Sequence, residues 1–458
     1  MSQPAEAPVS ELKTIAQHAT TVLIGQLAVM AYSVTDTIVA GRFSSASLAA
    51  LSVGSAIYVS VFVALLGILQ ALLPIWAELH GAGETTGLGR SFRQALYLCA
   101  AVATLGMVVL LHAGPVFQWA QVPETLRPEA QAYLDVLAWT LPPALLFRMF
   151  STLNQSLGRP VLVTWLQIGS LGVKVPLSIW FAFGGLGLQA GGAVGCALAT
   201  LVVNYALCAV ALWQIRSHAM YRPFAIWRRL ERPDWRQIAA FARLGIPSAL
   251  AVMVEVTSFT LMALFIARMG EIAAGSHQIA INITALLYMV PLAISIAASS
   301  RVSYWLGAGA PTQARRVVWL GCACVSGAAV VLSSLLFLAR AWIAPVYSSQ
   351  PEILALTIPL LAWVAAYHLF DALQTICLFS LRCFKLAFLP FLIYAVFLWG
   401  GGLGGGYLLA YEGLGHLPAM NTPDAFWITS VAALVATTLA FLSLLMRTLK
   451  TACATDGR

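Results

Sequence analysis

The chain has 458 residues, of which 60% are hydrophobic and only 9% charged, and it carries a formal net charge of +8. A soluble domain is about a quarter charged, so this composition excludes a water-soluble globular protein. It points to a polytopic membrane protein with room for about a dozen spans of roughly 20 apolar residues each.

The start, MSQPAEAPVSELKTIAQHAT, has no basic leading segment and no compact apolar stretch ending at a cleavage site, so it does not read as a signal peptide. Apolar runs separated by Gly, Pro or charged breaks then predict twelve spans. Six fall near 13–40, 48–77, 92–113, 130–152, 161–184 and 191–214. After a basic stretch, six more fall near 241–268, 275–304, 316–339, 353–380, 386–411 and 425–447. Several exceed a minimal span, so tilt or extension beyond the membrane is expected. The division reads as an N-terminal six-helix bundle (1–220), a basic cytoplasmic linker (221–240) and a C-terminal six-helix bundle (241–458).

Positive charge sets the orientation. With a cytoplasmic N-terminus, the inner loops and termini hold most of the Lys and Arg residues, from Lys13, Arg90 and Arg93 through the linker to Arg447, Lys450 and Arg458. The outer loops hold only Arg42, Arg127, Arg268 and Arg340, an asymmetry that follows the positive-inside rule and puts both termini in the cytoplasm. The run RPFAIWRRLERPDWRQ (222–237) therefore reads as a membrane-facing inner loop rather than a nucleic-acid patch.

The two halves echo each other. SLAALSVGSAIYVSVFVALLGILQALLPIWAELHGAG, ending at Gly83, matches AAGSHQIAINITALLYMVPLAISIAASSRVSYWLGAG, ending at Gly309. A second echo sets Gly185-Leu186-Gly187 against Gly413-Leu414-Gly415. Each half has an even number of spans, so the repeat is parallel, and a site is expected at the interface of the halves.

Three acidic residues sit deep in apolar stretches: Asp36, Glu255 and Asp371. A carboxylate in a bilayer is costly and marks a path for ions, protons or cationic substrate. Tyr367 and Asp371 are spaced i, i+4 and share a helical face. With Glu255 they are expected to form one polar site, which could take up a proton near neutral pH. Alternatively, two carboxylates and a phenol could hold Na+, or each carboxylate could make a static interhelical hydrogen bond. Asp36 lies six residues before Arg42, a spacing that turns the two to different helix faces.

Lys174 is the one basic residue clearly in mid-span, and a lysine there must snorkel, deprotonate or find an anion. Asp36, in the same bundle, is its natural partner. Arg148 reads as a snorkelling residue, and His277 and His368 as hydrogen-bonded packing residues. WGGGLGGGYLL (399–409) lacks the Lys-Ser/Thr of a phosphate loop and reads as close helix packing. Met253, Met262, Phe265, Tyr288 and Met289 could line an adaptable apolar cavity, with Asn282 added to the substrate-cleft residues. The eight cysteines are scattered, show no metal-ligand spacing and read as buried packing residues. No motif for a nucleophile, a nucleotide or a divalent metal is found, so no enzyme is read.

The strings VTDTIVAGRFSSASLAALSVGSAIY, GSHQIAINITALLYMVPLAISIAASSRVSYWLGAGAP and YHLFDALQTICLFSLR resemble the multidrug and toxic compound extrusion (MATE) transporters, specifically the NorM-type bacterial branch. The resemblance runs from the first span to the last. It implies an all-α protein of 12 transmembrane helices in two pseudo-symmetric six-helix bundles with a central cleft. It also implies export of diverse, mainly cationic drugs by antiport with H+ and/or Na+, without any other cofactor. By resemblance Asp36 matches the first-helix aspartate, Glu255 the seventh-helix acid, and Tyr367 with Asp371 the tenth-helix cation site, so that all four are candidate cation-coupling residues, with Lys174 a possible charge partner of Asp36. The chain departs from the family where members often have Asn in place of Lys174 and a proline near Thr21. The lysine argues against a cation site in the N-terminal bundle, and the absent proline against bending of the first helix there.

The expectation is thus a cation-coupled multidrug efflux antiporter in a bacterial inner membrane, acting as a monomer among membrane lipids with no nucleic-acid partner. A lipid or lipid-linked precursor flippase of related fold is the alternative. A polytopic membrane enzyme and a major-facilitator-type antiporter fit less well, the first for want of a nucleophile or metal cluster and the second for want of these motifs.

Overall fold

The computed structural model describes residues 8–120, 122–185, 187–413 and 418–454. Leu186, Leu414 and Gly415 of the second glycine echo, Arg458 and the first seven residues lie outside these. The described residues are helical, apart from loops and an isolated bridge between Gly185 and Leu188. Twelve helices are long and apolar enough to cross a membrane. The first six are Glu11–Phe43, Ser45–Gly81, Thr85–Leu111, Arg127–Ser156, Val161–Phe183 and Gly192–Ser217. The other six are Trp235–Ala267, Glu271–Gly307, Pro311–Tyr347, Pro351–Cys383, Phe388–Glu412 and Asp424–Ala452. Each coincides with one predicted apolar run. Most extend past it, because a helix satisfies its own backbone groups beyond the apolar stretch as well as within it.

Local chemistry sets the ends. Ser44 caps the second helix by accepting from the Ser47 amide at 3.0 Å. Proline opens the ninth and tenth helices at Pro311 and Pro351, where a missing N–H costs nothing. Gly184 ends the fifth helix with φ of 79°, a conformation glycine adopts without steric strain.

Two spans are not regular. The second is interrupted at Ala71, between helices Ser45–Gln70 and Leu72–Gly81. Pro74 follows at once and has no N–H to give Gln70. The eleventh runs as α-helix over Phe388–Ala395 and widens to π-helix over Val396–Gly404 and again over Leu408–Glu412. The close packing expected of its glycines is confined to part of the run. A Cβ on Gly406 would lie 2.6 Å from the Phe426 ring, whereas one on Gly400 would meet nothing within 4 Å.

The chain forms two compact units, Thr21–Ala249 and Met1–Thr20 with Leu250–Arg458. The first and seventh helices therefore each contribute to both. In the N-terminal unit the segment after the sixth helix is stapled to the third helix. Arg93 donates to the Ala225 carbonyl at 2.8 Å and to Glu231 at 2.6 Å, and Gln94 exchanges hydrogen bonds with the backbone of Arg232 and Asp234. Gly89 permits this approach, since a Cβ there would sit 1.7 Å from the Phe224 carbonyl oxygen. Tyr221, in the short 3-10 helix Ala219–Phe224, donates to Asn154 Oδ1 at 2.8 Å. Burial pushes its phenol up to about 12, the Asn154 bond working the other way, so it stays a neutral donor.

In the C-terminal unit the start of the first helix is pinned by Glu11. It accepts from Arg301 Nε at 3.0 Å, from a second nitrogen of the same guanidinium, and from the Trp305 indole at 2.9 Å. Trp427, Phe426 and Phe441 are fully buried in the core of this unit. The seven cysteines whose side chains are described are free thiols, all buried but the half-buried Cys324.

Candidate ion and substrate sites

The seventh and tenth helices bring Glu255, Tyr367 and Asp371 to one site in the C-terminal unit. Asp371 and Tyr367 are each 1% exposed, while Glu255 is only partly buried. The Gln374 amide donates to Asp371 Oδ1 at 3.1 Å and lies 3.4 Å from both the Tyr394 hydroxyl and Thr375 Oγ1. The Tyr394 hydroxyl stands next to Glu255, and that of Tyr288 next to Thr375. Glu255 and Asp371 are close enough to repel one another when both are ionised. Among the described residues neither carboxylate has a Lys or Arg ion-pair partner. The Arg382 guanidinium lies 4.8 Å over the Phe379 ring on its own helix and acts electrostatically on Tyr288.

The arrangement joins two carboxylates to three phenols with no fixed counter-charge. Such a group can hold one proton between its acids or one hard monovalent cation through oxygen atoms. Among the described residues no cluster of three His, Cys, Asp or Glu side chains could take a metal ion. Gln374, Thr375 and Tyr394 were not singled out in the sequence. Gln374 lies three residues after Asp371 and so shares its face, which was a readable signal. Tyr394 left none.

The residues expected to line a substrate cleft divide between surroundings. Tyr288 belongs to the acidic site just described. Asn282 is exposed and accepts from Gln278 at 3.3 Å, and Met253 and Met289 are partly buried. Phe265 packs into an aromatic stack, 5.2 Å from Tyr407 and 6.1 Å from Phe426. His277 accepts from the Trp427 indole at 3.3 Å. His368, expected to be hydrogen-bonded, is buried and among the described residues has a partner on neither ring nitrogen.

In the N-terminal unit, Lys174 Nζ donates to Asp36 Oδ1 at 2.7 Å and Oδ2 at 3.0 Å. It also lies 3.0 Å from the Cys196 carbonyl and 2.6 Å from Thr200 Oγ1, and Ser178 donates to Asp36 at 3.1 Å. The fifth and sixth helices thus enclose the ammonium completely, at 0% exposure. Asp36 lines a cavity of about 250 Å³, whose wall includes Tyr32, Tyr58, Phe62, Tyr133 and Phe147. Arg148 does not snorkel as expected. It lines this cavity and a second of about 10 Å³, with Gln26 and Gln167 beside it in both. The side chain turns inward because helix packing, not membrane depth, sets its direction.

The MatE family model matches residues 22–180 and 247–404. A probable multidrug resistance protein NorM of Aromatoleum aromaticum is 35% identical over 442 residues, covering 96% of this chain and 95% of that protein. The multidrug resistance protein MdtK of Yersinia pestis is 32% identical over 431 residues, covering 93% of each. Among solved structures, the eukaryotic MATE transporter AtDTX14 superposes with a TM-score of 0.85 at 18% identity, over 98% of this chain and 99% of that one. The Vibrio cholerae MATE transporter VcmN in the bent form gives 0.83 at 16% identity, over 97% and 98%. At such identities these structures establish a shared fold.

Proposed function

This chain belongs to the MatE family, and from that membership we propose that it is a cation-coupled antiporter exporting small organic drugs, organic cations foremost. It is a multi-pass transporter and not an enzyme. Its curated relatives are bacterial multidrug resistance proteins, which supports an inner-membrane location. The charge asymmetry of the loops supports cytoplasmic termini. We read it as a monomer working among membrane lipids.

The observation that carries the coupling is the acidic site of the C-terminal unit: Glu255 and Asp371 share one polar set with Tyr288, Tyr367 and Tyr394 and lack a basic counter-ion. In this reading H+ or Na+ arrives from outside and occupies Glu255 and Asp371. Its arrival disfavours the drug-bound state, drug leaves outward, and ion release inside resets the carrier. Exchange requires that ion and drug favour different states, because equal affinity for both shifts nothing. Asp36, held by Lys174, takes no exchangeable cation.

The test is drug transport by Asp371→Asn in proteoliposomes under separately imposed H+ and Na+ gradients. Gradient-driven drug movement should be lost in the variant, and the gradient that drives the parent identifies the ion. Coupling retained in the variant overturns the assignment of this site.

A further inference from the structure

The segment that joins the sixth helix to the seventh turns its two kinds of charge in different directions. Its acids, Glu231 and Asp234, face the third helix, where Glu231 pairs with Arg93 at 2.6 Å and Asp234 with Arg90 at 3.3 Å. Its arginines stay outside. Arg222, Arg228, Arg229 and Arg232 are exposed, as are Arg216 just before the segment and Arg236 just after it. Among the described residues none of these six guanidinium groups has an ion-pair partner. The segment therefore presents positive charge that nothing in its own unit balances.

The backbone decides which apolar side chains accompany it. Turns close at Ala225 and Arg228, whose amides hydrogen-bond the Arg222 carbonyl at 3.1 Å and the Ala225 carbonyl at 3.2 Å. Ala225 takes a φ of 48°, a left-handed conformation that alanine rarely adopts, and its carbonyl also accepts from Arg93 at 2.8 Å. Phe224 and Ile226 are buried, which leaves Trp227 and Leu230 outside, 52% and 49% exposed. The Trp227 ring lies 5.8 Å from the Arg216 guanidinium in the last turn of the sixth helix, and the exposed Trp235 opens the seventh. Both helices are membrane spans, so this basic and aromatic face stands at the membrane surface.

We propose that the exposed face formed by Trp227, Arg228, Arg229 and Leu230 is a docking site for the headgroups of anionic phospholipids. Guanidinium presents paired N–H donors to a phosphate, and tryptophan settles between headgroup and acyl chain. Zwitterionic lipids offer the same phosphate without net negative charge, so the site selects by charge. The staples to the third helix hold the face in place before any lipid arrives, which lowers the ordering cost of binding. The site concerns lipid alone and stands or falls separately from coupling at Glu255 and Asp371.

The experiment titrates the purified full-length protein in detergent with a fluorescently labelled phosphatidylglycerol and, separately, with a phosphatidylcholine of the same chains and label. Binding is read by fluorescence anisotropy. The parent should bind phosphatidylglycerol about tenfold or more tightly than phosphatidylcholine. Arg228→Gln combined with Arg229→Gln should remove most of that preference. Arg315→Gln combined with Arg316→Gln deletes the same charge at an exposed pair in the first turns of the ninth helix, and should keep it. Trp227→Ala should weaken binding of both lipids, because it removes contact and no charge. Equal binding of the two lipids by the parent overturns the proposal, as does unaltered binding in Trp227→Ala. So does a preference that survives loss of Arg228 and Arg229, or one that falls as far on loss of Arg315 and Arg316.

Discussion

The Lys174 ammonium reaches both oxygens of the Asp36 carboxylate, at 2.7 and 3.0 Å, and among the described residues neither charge has another ion-pair partner. Removing one member leaves the other charged and buried, which costs about 3–5 kcal/mol. Lys174→Met and Asp36→Asn should therefore each lower the thermal midpoint of the purified protein markedly. The double variant should lose less than the sum of the two, and strict additivity would show that the pair is not coupled.

In the proposed coupling site, Gln374 and Tyr394 stand next to the two acids and shape their hydrogen bonding. Tyr394→Phe removes the hydroxyl next to Glu255, and Gln374→Leu the amide that holds Asp371. A hydrogen bond to a charged group contributes about 1.5–3 kcal/mol. Each variant should raise the ion concentration needed for half-maximal drug exchange about tenfold, while drug binding in the absence of a gradient stays near that of the parent. An unchanged ion dependence would place these side chains outside the site.

Glu11 is the acceptor for both Arg301 and the Trp305 indole. Glu11→Ala should destabilise the C-terminal unit by about 1–3 kcal/mol, since a largely buried guanidinium and an indole N–H lose this acceptor. Thermal melting checks the size. Protease access to the start of the first helix, faster than in the parent, checks the place.

At Gly89 the third helix admits no side chain, because the Phe224 backbone occupies the position of a Cβ. Gly89→Val should dislodge the 219–234 segment, and limited proteolysis should cut there first. Gly114→Ala, where nothing lies within 4 Å, should leave both melting and cleavage unchanged.

Hydropathy made the span positions legible because a bilayer forces apolar length on every crossing. The tenth run at 353–380 became Pro351–Cys383 and the ninth at 316–339 became Pro311–Tyr347. The ends were read short because polar helical turns carry no apolar signal. The acids were legible for the same energetic reason, as was the shared face of Tyr367 and Asp371. What periodicity could not give was which way a polar side chain turns. Arg148 has the same spacing whether it snorkels or faces a cavity, and Tyr394 reads as one more aromatic residue in an apolar run. The break at Ala71 had a readable signal in Pro74, but the wide turns of the eleventh helix leave no pattern in composition, since they depend on which carbonyl each amide finds.

Those wide turns have a geometric consequence for the acidic site. From within them the Trp399 indole donates toward the Val254 carbonyl and Thr257 Oγ1, each at 3.2 Å, gripping the seventh helix on either side of Glu255. Tyr394, whose hydroxyl stands next to Glu255, lies just ahead of the widened turns. A π-turn stores one surplus residue relative to an α-turn, and one residue is about 100° of helical rotation. Passing that surplus along the backbone would swing Trp399 away from the seventh helix while leaving Tyr394 in place. The glycines from Gly400 to Gly406 bring no side chains that would obstruct such a step. The eleventh helix thus holds its neighbour by two grips, one fixed and one that a one-residue shift of register can release.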